Sequence, residues 1–108
     1  MTLDAFKNDI ALAAKDGSLA RGVIGDGMMI PGAAGDVPLV YADYVASGRA
    51  LRQVEAFIAD HLLPYYANSH TEASFCGSYV TRMRHAARAE IARLTNCGPE
   101  DAVIFAGA

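Results

Sequence analysis

The 108-residue sequence has no block of basic residues, no long apolar run and only two cysteines. Nine basic and twelve acidic residues give a formal net charge of −3, so the electrostatic footprint of a nucleic-acid-binding protein is missing. No apolar stretch reaches the roughly 18 residues of a membrane span. The first residues also lack the pattern of a signal peptide. We therefore expect a cytoplasmic protein that binds neither nucleic acid nor membrane.

The cysteines and glycines form no recognisable ligand motif. Cys76 and Cys97 stand alone, which favours reduced thiols over a disulfide framework. No Cys-x-x-Cys and no close histidine pair is present, so the sequence predicts no zinc site. The pair Gly25 and Gly27 lacks the third glycine and the following helix of a dinucleotide-binding loop.

The hydrophobic residues, 53 % of the chain, predict three helices. The first runs from residue 3 to 15, capped by Thr2 and ended by Gly17. The second should start after Ser47 and reach residue 62, because Pro64 forbids further extension. The third runs from about 78 to 94 and stops at residues 96–98.

Two short apolar runs, 38–42 and 103–106, predict strands. The predicted fold class is thus α/β: an α-rich fragment of three helices with short strands. We expect residues 1–37 to form a helix followed by a glycine-rich segment. Residues 38–101 should form a helical segment, and residues 102–108 should form the first strand of a further domain. A parallel sheet needs more strand–helix units than these, which predicts an incomplete domain.

Three separate stretches of the chain are informative when they are taken together in their order and spacing. Residues 40–49 read Val-Tyr-Ala-Asp-Tyr-Val-Ala-Ser-Gly-Arg, and residues 66–74 contain Asn-Ser-His. Residues 87–94 read Ala-Arg-Ala-Glu-Ile-Ala-Arg-Leu and lead to Asp-Ala-Val-Ile-Phe. In order and spacing they resemble the N-terminal segment of class V aminotransferases and cysteine desulfurases, which are fold type I enzymes that use pyridoxal phosphate. Val45 departs from the family's usual small residue.

The resemblance implies roles for seven residues. The turn Ala46, Ser47 and Gly48, together with Asn68 and His70, would lie at the cleft for an amino-acid substrate. Gly107 and Ala108 would open the loop that holds the cofactor phosphate, and the parent enzyme would be a homodimer.

The resemblance also implies that the catalytic lysine lies outside these 108 residues. Pyridoxal-phosphate chemistry needs a lysine amine for the Schiff base. Lys7 and Lys15 both fall on the first helix and match no such position. We therefore expect no catalytic residue in this chain and no cofactor binding by the chain alone. The sequence leaves an aminotransferase and a desulfurase equally open.

Structural explanations stand beside these functional ones. His70 either orients a substrate carboxylate or stacks near the cofactor, or it is a loop histidine satisfied by local backbone. Asp43 either is catalytic or bonds backbone amides in the turn. Ser47 either contacts substrate or caps the second helix. A different kind of protein also fits the sequence: a free-standing helical module that binds a partner helix.

Overall fold

The computed structural model describes residues 2–69 and 72–106, which extend over 59 × 33 × 32 Å. Its elements in chain order are α1 (Leu3–Lys15), α2 (Ser18–Arg21), β1 (Met29–Gly32), β2 (Gly35–Pro38), α3 (Arg52–Phe57), a π-helical turn (Ile58–Leu62), a 3-10 turn (Leu63–Tyr65) and α4 (Phe75–Leu94).

Helix α1 has the predicted bounds. Thr2 caps it, since its Oγ1 accepts a hydrogen bond of 3.2 Å from the Ala5 amide. Asp4 lies in the first turn and Lys15 in the last, which is the charge arrangement that the helix dipole favours. Gly17 follows the helix with a φ of 75°, a left-handed conformation that costs glycine little.

Helix α4 is three residues longer at its start than predicted. Ser74 is its N-cap and accepts a 3.0 Å hydrogen bond from the Gly77 amide, a local signal that the apolar periodicity did not reveal. The predicted stop is confirmed. Asn96 has a φ of 55°, its amide donates to the Arg93 carbonyl, and the Cys97 amide donates to the Ala92 carbonyl. These two bonds form a Schellman motif.

The predicted start of the second helix, after Ser47, is wrong. Residues 48–50 are not helical and α3 begins at Arg52. The reason is a contact with a distant segment. The Ile24 amide donates to the Ala50 carbonyl at 2.9 Å, and the Arg52 amide donates to the Gly22 carbonyl at 2.8 Å. These bonds hold the chain extended up to Leu51, although its side-chain spacing favours a helix.

The predicted strands at 38–42 and 103–106 are also wrong. The sheet of the described residues is an antiparallel hairpin, β1 with β2, that pairs Met29 with Pro38 and Gly32 with Gly35. After Pro38, which has no amide donor, only the Leu39 amide continues the pairing, with the Met28 carbonyl. Residues 103–106 pair with no strand in the described part of the chain, so their β-propensity is not realised.

Contacts between elements are made by rings and polar groups. None of the apolar side chains that the structure describes is fully buried. Phe6 on α1 stacks on Phe57 of α3 with ring centroids 4.3 Å apart. Tyr65 contacts the rings of Phe75 and Tyr79 at 5.6 and 4.8 Å, and these two rings also contact each other at 6.2 Å.

An ion network joins α1 to α4. The Lys7 ammonium lies 2.8 Å from Glu90 Oε2, and Arg93 donates to both oxygens of the same carboxylate, at 2.6 and 3.1 Å. The hydrogen bond from Arg93, which is the larger cause, and the hydrogen bond from Lys7 lower the pKa of Glu90 from 4.5 to about 2. The folded chain therefore holds the charged carboxylate more strongly than the unfolded chain does.

Replacing Glu90 should lower stability in a pH-dependent way. Because the folded pKa is depressed, the stabilisation is complete above about pH 4.5 and is lost as the pH falls toward 2. We expect Glu90→Gln to unfold at a lower temperature than wild type at pH 7, with a gap that closes in acid. Circular dichroism melts across this range measure it, with exposed Glu100→Gln as the control. A gap that does not change with pH would contradict the assignment.

The left-handed residue after α4 gives a second test. Asn96→Ala should destabilise the chain by about 1 kcal/mol, since alanine tolerates positive φ poorly. Asn96→Gly should cost nothing or stabilise slightly. Denaturant midpoints of the two variants measure the difference, and equal midpoints would show that the Schellman end is not formed in solution.

Candidate functional site

The predicted substrate turn, residues 46–48, is held by Tyr41. The Tyr41 hydroxyl lies 2.9 Å from the carbonyls of Asp43 and Ser47 and 2.7 Å from Ser47 Oγ. The Ala46 and Ser47 amides both donate to the Asp43 carbonyl. One aromatic residue therefore fixes both ends of a tight turn whose residues remain exposed.

The Arg49 side chain contacts both Tyr41, which holds this turn, and the glycine-rich segment at residues 22–27. Its guanidinium lies 5.0 Å from the centre of the Tyr41 ring, and its Nη2 donates to the Ile24 carbonyl at 2.9 Å. Gly25 adopts a φ of 84°, and a Cβ there would clash with the same guanidinium. Gly25 thus allows Arg49 to pass close to the backbone.

The structure corrects one interpretation of Ser47. The N-cap of α3 is Leu51 without a side-chain hydrogen bond, so Ser47 caps no helix. Its hydroxyl instead interacts with Tyr41. Gly48 is open, since a Cβ added there would meet no atom within 4 Å. The turn is therefore ordered by its own contacts and still accessible to a ligand.

Asn68 lines a different surface, a groove of about 510 Å³ beside α4. Tyr66, Ala67 and Val80 form its apolar walls, and Ser69 and Arg84 contribute polar groups. Thr81 is 7 % exposed and its Oγ1 donates to the Ser69 carbonyl at 2.8 Å, which fixes the segment against α4. The 46–48 turn is not part of this groove's walls.

Three predicted site residues, His70, Gly107 and Ala108, lie outside the described residues. Their roles stay predictions. Of the remaining four, the structure groups Ala46, Ser47 and Gly48 in one turn and places Asn68 in the groove beside α4.

Sequence reasoning missed a basic cluster on α4. Arg84 and Arg88 both lie over the ring of Phe105, at 5.5 and 5.4 Å from its centre. The available signal was their separation of four residues, which places both side chains on one helix face. The sequence predicts a strand at Phe105, and a strand assignment gives no indication of a ring contact with α4.

Neither a metal site nor a membrane span is found within residues 2–69 and 72–106. No three acidic, histidine or cysteine side chains come together there in a way that would hold an ion. The helices are too short or too polar to cross a bilayer. Cys76 and Cys97 are both free and half-buried.

The comparisons assign no family. No model of a protein family, no curated protein and no solved structure matches the chain. Function must therefore be argued from the residues and their geometry.

Removing the Tyr41 hydroxyl tests how the turn is held. Tyr41→Phe keeps the ring under Arg49 but loses the hydrogen bonds to residues 43 and 47. With a hydrogen bond contributing about 1 kcal/mol, amide exchange at Ala46 and Ser47 should accelerate by roughly 5-fold. Hydrogen exchange followed by NMR measures this, with Tyr44→Phe as the matched control. Equal rates in both variants would show that the turn does not depend on Tyr41.

Proposed function

We propose that this chain is the N-terminal part of a cytoplasmic pyridoxal-phosphate enzyme of the class V aminotransferase and cysteine desulfurase kind. Its part is to shape the cleft for an amino-acid substrate. The observation that supports this most is that the segments resembling the family present apolar side chains to solvent. Val40, Val45 and Ile104 are each at least 80 % exposed, which favours their being covered by a further protein surface.

The rigid turn is suited to substrate contact. Its backbone is fixed by the Tyr41 hydroxyl, which bonds the Asp43 and Ser47 carbonyls, so a ligand would meet hydrogen-bonding groups that need no ordering. Asn68 offers an amide that both donates and accepts. These groups bind and orient a polar substrate, and none of them is placed to carry a proton at the reacting carbon.

Lys7 does not fit a Schiff-base role, and Lys15 matches no such position in the resemblance. The Lys7 ammonium is bound by Glu90 and lies 3.6 Å from Asp4. The hydrogen bond to Glu90 raises the pKa of Lys7 above 10.5, so the neutral amine that attacks an aldehyde is disfavoured. The proposal therefore requires a lysine from other sequence, and no chemical step is assigned to these residues.

The proposal is tested by the reading frame and by trapping. The frame should continue past Ala108 into a glycine- and threonine-containing loop and later supply the lysine. Borohydride reduction of the full-length protein with pyridoxal phosphate should attach the cofactor to that one lysine, as read by peptide mass. Lys7 and Lys15 should remain unmodified. A frame that stops at residue 108, or labelling confined to α1, would refute the proposal.

A free-standing interaction module is the second candidate. A groove of about 600 Å³ between α1 and α4 favours it, because Leu3, Tyr79 and Met83 give it apolar walls that suit a partner helix. The same reading frame separates the two functions, since a module needs no further sequence.

Either function predicts that the isolated chain self-associates. Exposed apolar side chains and the unpaired edges of the β1–β2 hairpin favour contacts between copies. Light scattering over a concentration series should show a mass that rises above 11.4 kDa. A constant monomer mass at high concentration would contradict this.

A further inference from the structure

Two arginines on one face of α4 have little to neutralise them. Arg84 and Arg88 are one helical turn apart, a spacing at which like charges repel, and both lie over Phe105. The ion pairs found among the described residues involve Asp4, Lys7, Glu90 and Arg93, so neither Arg84 nor Arg88 takes part in one. The ring attracts the two cations but carries no charge to offset them.

A small recess lies between these arginines and the segment before α4. It measures about 150 Å³ and is lined by Ser69, Thr81, Arg84, His85 and Arg88. All of these side chains can donate hydrogen bonds, and no carboxylate is among the lining residues. Asp101 lies on another side of Arg88 and accepts from the Gly98 amide at 2.7 Å.

Hydrogen bonds pre-organise one wall of the recess. The buried Thr81 hydroxyl holds the Ser69 carbonyl at 2.8 Å, and Arg84 Nη1 donates to Ser69 Oγ at 3.1 Å. Arg88 Nε is buried and has no hydrogen-bond partner. A buried donor on a charged group is costly to leave unpaired, so this nitrogen points to a missing acceptor.

We infer that this recess binds a small oxyanion, a carboxylate or a phosphate group, through the guanidinium groups of Arg84 and Arg88. Guanidinium donors match the paired oxygens of both groups. Ser69 Oγ supplies a further donor, and the ring of Phe105 contacts both guanidinium groups without being part of the recess lining. Arg84 also lines the groove of Asn68, so an organic body attached to the anion has an adjacent surface along Tyr66 and Val80. The inference does not depend on the proposed enzyme.

Titration of the 108-residue chain with inorganic phosphate and with acetate tests the site. Both are compared with sodium chloride at matched ionic strength, because screening alone shifts surface charges. The Arg88 Nε–H signal in a ¹⁵N NMR spectrum should move and saturate with at least one of the two oxyanions. Saturation by phosphate alone indicates a phosphate-bearing ligand, and saturation by acetate indicates a carboxylate. A response equal to that of chloride would overturn the inference.

Substitution of the two arginines tests whether the anion binds in this recess. Arg84→Gln and Arg88→Gln should each weaken binding by about tenfold or more, as expected for loss of a charge-assisted hydrogen bond. Arg82→Gln removes the same charge from the same helix. The Arg82 guanidinium donates to Ser78 Oγ, however, and Arg82 lines the groove between α1 and α4. This variant should bind like wild type, and an equal loss in all three would show only unspecific attraction.

The conservative variant Arg88→Lys separates geometry from charge. It keeps the positive charge and should still lose most of the affinity, because lysine cannot present two parallel donors. Circular dichroism confirms that α4 is intact in each variant. If a glutamine variant unfolds, the Lys variant and the wild-type Nε–H signal decide: affinity unchanged in Arg88→Lys would overturn the bidentate site.

Discussion

The arrangement of the chain depends on directional contacts made along α4. Lys7 forms an ion pair with Glu90 in the C-terminal half of α4. The Tyr79 hydroxyl donates to the His61 carbonyl at 2.6 Å, and the Thr81 hydroxyl donates to the Ser69 carbonyl. In most small domains a packed apolar interior supplies the larger share of stability. Here no apolar side chain of the described residues is fully buried, so polar bonds and ring contacts take a larger part in setting where the other elements lie.

This dependence gives the two faces of α4 different electrostatics. On the face toward α1, Glu90 is shared by Lys7 and Arg93, and the charges there nearly compensate. On the face toward residue 69, Arg84 and Arg88 lie over an uncharged ring. Charge on the first face serves the fold. On the second face the positive charge is available to bind an anion, because no acidic side chain of the described residues forms an ion pair with Arg84 or Arg88.

The sequence predicted those parts of the fold that local signals determine. Thr2 and Asn96 act within a few residues of the helix ends they define, so α1 and the end of α4 were predictable. Ser74 is an equally local cap, but the apolar periodicity starts after it, so the first three residues of α4 were missed. The start of α3 was not, because residues 50–52 pair with residues 22–24, which lie far away in sequence. For the site, the 46–48 turn was identified, whereas the roles of Tyr41, Arg49 and Phe105 depend on side-chain contacts that no periodicity reveals.

The two parts of the proposed substrate site differ in what they need from elsewhere. The 46–48 turn is held by contacts within the chain, because the Tyr41 hydroxyl bonds the carbonyls of Asp43 and Ser47. Asn68 instead lines an open groove whose remaining polar groups come from α4. In the proposed enzyme, the protein surface that covers this part of the chain would therefore have to hold a ligand against a turn that is already formed. It would also have to close the groove of Asn68 beside the unpaired charge of Arg84, so an anionic group on the ligand or on the covering surface would be the fitting partner.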